Sequence, residues 1–506
     1  MNNIKYATKG IINGLLNTII NIILPFISRT IIIYKLGTEY VGLGSLFTSI
    51  LQVLSLTELG MGAAISYSLY QPLVEGDKDK TTAVLKFYKN IYLIIGIIIF
   101  VISVLLFPFL GYLISGDIPN DININILYLI YVLNSVESYF VLGYKKILLS
   151  ANKRYDIEVK INSITTVSQY ALQIILLLMF NNYYIYVIII PVMTLMNNLY
   201  SYIKVKQLYP DYIPQGKLNC QEIKNIIKLT IGCFFSKIGS TIYLTVDNIV
   251  ISAFLGLKVL GIYNNYYYIL GALISVFAIV HNTLRPIIGQ NLVNSNSKSN
   301  WDNFVTFNSI YMILVIFCCS CCCSLYQDFE LLWCGEENVL PFSIVILLVV
   351  YFYTGRIYNP LCLYQEAAGL MWKGKFIPLL SATVNLTINI CLVKTFGLFG
   401  IIISSIISSV VIAMPGYIYI LFGLLFEKKY MKKYLMQLFD ETIQMIIVCS
   451  ITYLVSYSIH STNWLLFALK LGIVIIVSLI VILLCNIKNK RLRIVLNNIK
   501  ERIAFK

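Results

Sequence analysis

The chain is short of charge. Only 12% of its 506 residues are Asp, Glu, Lys or Arg, against 58% hydrophobic residues and a mean hydropathy of +0.80, where a soluble domain carries roughly 25% charged residues. That shortage excludes an ordinary water-soluble globule and predicts a membrane protein. Long polar stretches are also missing. Apolar runs of the roughly 20 residues needed to cross a bilayer recur from near the N-terminus to residue 486, which leaves no room for a large soluble domain or for catalysis in one. No small-residue cleavage site follows the first apolar run, so that run is expected to be a retained span and not a signal peptide. The cysteines lack metal partners: Cys318, Cys319, Cys321, Cys322 and Cys323 crowd one apolar span with no nearby His or carboxylate, and small lipid-compatible filler is the simpler reading.

What is present is a series of about fourteen apolar spans, near 11–33, 41–66, 91–115, 124–148, 161–180, 185–203, 229–254, 262–286, 304–326, 339–362, 376–393, 398–424, 442–459 and 464–486. The expected fold is all-α and integral to the membrane. The net charge of +15 is placed as an orientation signal. With the N-terminus in the cytoplasm, the even-numbered turns and both tails hold about 30 of the 38 Lys and Arg, and only about four lie outside. The basic balance therefore needs no nucleic acid to explain it, although the tail residues Lys488, Lys490, Arg491 and Arg493 can also meet anionic lipid headgroups. The expected location is a bacterial cytoplasmic membrane with both termini inside. The 38 tyrosines fit sugar-stacking surfaces, interfacial belts or a biased genome alike.

One heptapeptide pattern, LGxxxxG, occurs twice: Leu36 to Gly42 (LGTEYVG) and Leu255 to Gly261 (LGLKVLG). Each copy falls at an outer turn, between spans one and two and between spans seven and eight. Six spans separate them, and an even number of crossings returns the chain to the same side, so the copies imply a parallel repeat about a pseudo-two-fold along the membrane normal. The polar segment 204–228, with Pro210, Pro214 and Gly216, divides the first twelve spans six and six. The expected organisation is an N-terminal six-helix lobe (1–203), a cytoplasmic linker (204–228), a C-terminal six-helix lobe (229–424), and an extra helix pair with a basic tail (425–506). Two such halves rocking about a shared cavity are the plan of an alternating-access transporter.

A charge at the bilayer centre costs roughly 2.5–3.5 kcal/mol on insertion scales, so those that remain need a partner, a wet cavity or a task. Several remain, among them Arg29, Glu58, Glu137, Lys237, Asp247, His281, Arg285 and Arg356. Interhelical pairing and snorkelling are the plain readings, and Arg285, followed by Pro286, is the first candidate for the latter. Lys237 and Asp247 are ten residues apart and cannot neutralise each other along one helix. In the functional reading Arg29, Lys237 and Arg356 line a cationic cavity suited to phosphate or pyrophosphate, while Glu58, Glu137 and Asp247 titrate or hold a cation, coupling the cycle to H⁺ or Na⁺.

Arg29 with LGTEYVGLGSLFTSILQVLSLTELGMGAAISYSLYQPL (36–73), KFYKNIY (86–92) and VDNIVISAFLGLKVLGIYNNYYYI (246–269) resembles the polysaccharide-repeat flippases of the multidrug/oligosaccharidyl-lipid/polysaccharide exporter superfamily over nearly the whole chain. The resemblance implies two six-helix bundles around a central cavity and the transfer of undecaprenyl-pyrophosphate-linked oligosaccharide to the outer leaflet for O-antigen, capsule or exopolysaccharide. It also implies working partners: the lipid-linked substrate, membrane lipids, and a polysaccharide polymerase with its chain-length machinery. Arg29 is the best-matching substrate contact, with Lys237, Arg285 and Arg356 as weaker transfers. The two extra spans depart from the common twelve, which keeps a lipid II flippase open as an alternative cargo reading. A cation-coupled drug exporter of the same fold calls for an acidic or apolar cavity, whereas this chain has as many intramembrane cations as acids. No organic or metal cofactor is expected, and no enzyme activity, because the outer loops are short and hold no paired-carboxylate motif.

Overall fold

A computed structural model of the chain describes residues 2–55, 61–116, 118–152, 154–294, 296–459 and 461–487. Among them every regular element is helical: α1 (Asn2–Lys35), α2 (Thr38–Leu54), α3 (Met61–Glu75), α4 (Lys78–Leu106), α5 (Ile124–Phe140), α6 (Ile147–Ala151), α7 (Tyr155–Phe180), α8 (Tyr183–Leu208) and α9 (Cys220–Leu255). Then follow α10 (Leu257–Asn294), α11 (Ser297–Cys334), α12 (Phe342–Ile357), α13 (Asn359–Ala367), α14 (Met371–Gly374), α15 (Ile377–Ser408), α16 (Met414–Leu424), α17 (Met431–Tyr457) and α18 (Trp464–Asn486).

Asparagine starts many of these helices. Asn123, Asn182, Asn219, Asn296 and Asn463 each accept a backbone N–H of the following first turn, and Asn219 with Glu222 closes a full capping box. Their side chains satisfy donors that a helix leaves orphaned. Large apolar side chains such as Ile94, Val101, Leu479 and Leu483 stay exposed on α4 and α18; in a bilayer they face lipid tails.

Among the described residues, eleven helical segments are long and apolar enough to cross a membrane, or twelve if the bent pair Ile124–Phe140 and Gly143–Ala151 is one span. Besides that bent pair, the difference from the expected fourteen lies in two places. The segment Met371–Leu424 counts once although it runs for 54 residues, about 80 Å if fully helical, and it breaks at Gly397 (φ 55°, ψ −135°). The region of the second expected span contains α2, which is only 17 residues long, and α3.

The chain forms two units, with the boundary between Gly261 and Ile262. This falls later than the 204–228 connector, because α9 packs on α2 and α3. The connector's own flanks are tied into the first unit, with Lys78 Nζ 2.6 Å from Asp211 and Lys80 Nζ 3.2 Å from Glu222. In the second unit α17 and α18 pack on α11 and on each other, fixed by Lys470 to Asp328 at 2.8 Å and by Ser320 to Ser478 at 2.9 Å.

Candidate functional site

The two LGxxxxG motifs meet. In each, the first glycine ends a helix with a positive φ, 121° at Gly37 and 90° at Gly256, where a side chain is strained and glycine is not. Each also donates its N–H to the carbonyl five residues back, Gly37 to Ile32 and Gly256 to Ile251, both at 3.1 Å; such 6→1 closure is typical of helix ends that turn at glycine. The second glycine of each motif serves the other copy. A Cβ on Gly42 would stand 2.2 Å from the Leu257 carbonyl oxygen, and one on Gly261 would stand 2.2 Å from the Thr38 carbonyl oxygen. Thr38 and Leu257 occupy the same third position of the pattern, so the contact is reciprocal. It leaves no room for any side chain at either second glycine, and it joins the start of α2 to the start of α10. Next to it Asn248 Nδ2 donates to Ser49 Oγ at 2.9 Å, joining α9 to α2.

Arg29 lies on α1 in the same unit, half-buried, with its charge close to Tyr183 and Tyr186 of α8. Its neighbour Ser28 shares a 2.9 Å hydrogen bond with the Tyr186 hydroxyl. Tyr183 donates to the Tyr40 carbonyl at 2.9 Å, packs edge-on against the Tyr40 ring, and stacks on Tyr186. Arg29 is therefore set beside a buried tyrosine wall drawn from α2 and α8. Asp247 is buried on α9, and Lys237, nearly three turns earlier on the same helix, is exposed. Glu137 of α5 is half-buried and leaves Oε1 without a hydrogen-bond partner. Lys146 stands close to it and donates to Asn197 Oδ1 at 2.5 Å. Glu58 lies outside the described residues.

In the second unit the structure changes the reading of Arg285. It does not simply snorkel: its Nη1 donates to Glu366 Oε2 at 3.1 Å, and His281 Nε2 lies 3.2 Å from the same oxygen. Two candidates on α10 are thus bound to one acid on α13. Arg356 of α12 lies against the Tyr311 hydroxyl, which also accepts from Asn359 Nδ2 at 3.1 Å, and its Nε is buried without a hydrogen-bond partner. Sequence reasoning missed Glu366, because the span edge placed it in a polar turn. It also missed Glu441. In both cases the missing information is a contact across more than 80 residues.

Long apolar helices, glycine-mediated helix contact and charges held inside the apolar segments define a multi-pass membrane protein. The chain belongs to the polysaccharide biosynthesis protein family, whose model matches residues 7–292. No curated protein matches the sequence significantly. Among solved structures, the lipid II flippase MurJ in an inward closed conformation has a TM-score of 0.68 at 15% identity, covering 95% of this chain and 99% of that one. A multidrug resistance MATE family transporter of the MOP superfamily, inward-facing, has a TM-score of 0.61 at 14% identity, covering 80% and 93%. A MOP superfamily transporter from Pyrococcus furiosus, described by a reversed polarity of its binding pocket, has a TM-score of 0.53 at 13% identity, covering 82% and 94%. At these identities the likeness concerns the fold.

Proposed function

We propose that this protein is a flippase that carries an undecaprenyl-pyrophosphate-linked oligosaccharide from the cytoplasmic to the outer leaflet of a bacterial cytoplasmic membrane, by alternating access and for surface polysaccharide. Both termini lie in the cytoplasm in this reading, and the product passes to a polymerase with its chain-length machinery. The observation that carries it is the reciprocal glycine contact. An interface that must close fully and part again in each cycle gains from backbone meeting backbone, because no side chains have to disengage. Two copies of one motif making that contact to each other suit a transporter built from repeats, and the contact itself lies within the first unit.

The cargo rests on the family and on the cations. Arg29 holds the pyrophosphate in this proposal, since a guanidinium meets two phosphate oxygens at once. Arg356, with Nε buried and unpartnered, and the exposed Lys237 add positive charge, while Arg285 contributes less because Glu366 already binds it. Glu58, Glu137 and Asp247 are the candidates for coupling to H⁺ or Na⁺. The second reading, a lipid II flippase, is favoured by one observation: the MurJ likeness covers 95% of this chain and so includes the extra helix pair.

The test is surface polysaccharide in a flippase-deleted host whose repeat unit this protein can carry, with wild type, Arg29→Ala, Arg29→Lys and Glu58→Gln at equal membrane abundance. Loss with Arg29→Ala and partial retention with Arg29→Lys supports the proposal; full export by Arg29→Ala removes Arg29 from it. Rescue of a lipid II flippase deletion, without rescue of polysaccharide export, would instead select the second reading.

A further inference from the structure

The helix bundle around α17 and α18 contains two acids treated in opposite ways. Asp328 of α11 is closed by Lys470 of α18 at 2.8 Å. Glu441 of α17 is 8% exposed, and among the described residues no Lys, Arg or His pairs with it. Its carboxylate is held by amides alone: Gln437 Nε2 at 2.7 Å and Asn308 Nδ2 at 3.1 and 3.3 Å from the two oxygens. Asn308 is fully buried on α11, and its Oδ1 has no hydrogen-bond partner. Gln437 Nε2 also donates to Ser309 Oγ at 3.2 Å. A cavity of about 820 Å³ opens beside the carboxylate, lined by Glu441, Gln437, Ser309, Gln444, Asp440 and Lys433 among others.

A carboxylate inside an apolar bundle is costly unless a cation or a proton compensates it. Every polar group at this one is an oxygen donor or can become one, because an Asn or Gln side chain turned by 180° exchanges its NH₂ for its carbonyl oxygen. Turned in that way, Asn308 Oδ1 leaves its unpartnered position and faces the carboxylate. The set is then Glu441, Asn308, Gln437 and Ser309: hard oxygens with a total charge of −1. Hard oxygen ligands suit alkali and alkaline-earth ions, and a single carboxylate matches a single positive charge better than two. Lys433 does not fill this role, because its Nζ is directed over the Tyr430 ring, 5.8 Å from its centroid.

We propose that Glu441, Asn308, Gln437 and Ser309 form a binding site for a monovalent alkali cation, sodium, reached through the cavity between α11 and α17. The proposal is independent of the flippase reading, since occupancy is measured without transport.

The experiment uses the purified full-length protein in detergent, with radiolabelled sodium binding at equilibrium and melting temperature in NaCl against choline chloride at equal ionic strength. Glu441→Gln and Asn308→Ala are compared with wild type, and Glu427→Gln, at an exposed acid that does not line the cavity, serves as the control. The expected result is one equivalent of saturable sodium lost in Glu441→Gln, weaker binding in Asn308→Ala, and no change in Glu427→Gln. The rise in melting temperature with sodium should shrink in parallel, while the melting temperature in choline shows that the variants are folded. Unchanged sodium stoichiometry in folded Glu441→Gln overturns the proposal. So does stabilisation that follows falling pH and ignores sodium, which would make Glu441 a proton carrier.

Discussion

The two LGxxxxG copies are alike where they touch and unlike just before. Each ends a helix on a positive-φ glycine with the same 6→1 hydrogen bond, and each presents a glycine to the third residue of the other. Eight residues before the first glycine, however, one copy carries Arg29 and the other Asn248, with Asp247 beside it. Arg29 sits among tyrosines, and Asn248 ties α9 to α2. Matched backbone with diverged side chains separates two demands. In the proposed cycle the contact that closes is the same from both sides, whereas the groups proposed to meet cargo or ions need not be.

The comparison breaks most severely at the second glycines. Gly42→Leu and Gly261→Leu each push a side chain where even a Cβ would overlap a backbone carbonyl, so both should abolish export. Gly42→Ala and Gly261→Ala should each cost about 1–3 kcal/mol through forced separation. Because the two alanines open the same contact, the double variant should cost less than the sum of the singles. Thermal unfolding in detergent, together with labelling of single cysteines at the adjoining turns by an impermeant reagent, reads both effects. If only one of the two alanines alters labelling, the contact is not reciprocal in function.

The next contrast is between the diverged positions. Arg29→Ala should lose export at near-normal stability, whereas Asn248→Ala should keep export and lose about 1 kcal/mol of stability, the net worth of one hydrogen bond. Surface polysaccharide and melting temperature for the two variants, side by side, sharpen the division, and equal loss of export from both would erase it. A further effect belongs to the first glycines: Gly37→Ala and Gly256→Ala should each cost about 1–3 kcal/mol, because their φ and ψ (121°, 167° and 90°, 171°) lie in a region open essentially to glycine alone, and Asn at either position should be no milder than Ala.

Much of this was legible in the sequence. Charge shortage and run length point to the all-helical membrane fold. The meeting of Gly42 with Leu257 was not legible, since periodicity describes a helix and not its neighbour. Arg285 shows the same limit: its depth and Pro286 suggested a snorkelling side chain, but an acid 81 residues away holds it. Glu441 was hidden differently. The polar start of α17, with Lys432, Lys433, Asp440 and Glu441, reads as a solvated turn, and only the packing of α11 against it makes one of those acids buried.

The least dramatic prediction concerns Glu366, whose single carboxylate oxygen gathers His281 and Arg285. Arg285 is half-exposed and Glu366 about a quarter exposed, so water screens the pair and its loss should cost about 1 kcal/mol or less. The informative readout is therefore not stability. Glu366→Gln keeps the shape and removes the negative charge, leaving Arg285 without its acid. If Arg285 can serve the same anion as Arg29, Glu366→Gln should partly restore export to Arg29→Ala, and the further change Arg285→Ala should remove that gain. No gain in the double variant would confine Arg285 to pairing with Glu366, and it would leave the cationic task to Arg29 with Arg356.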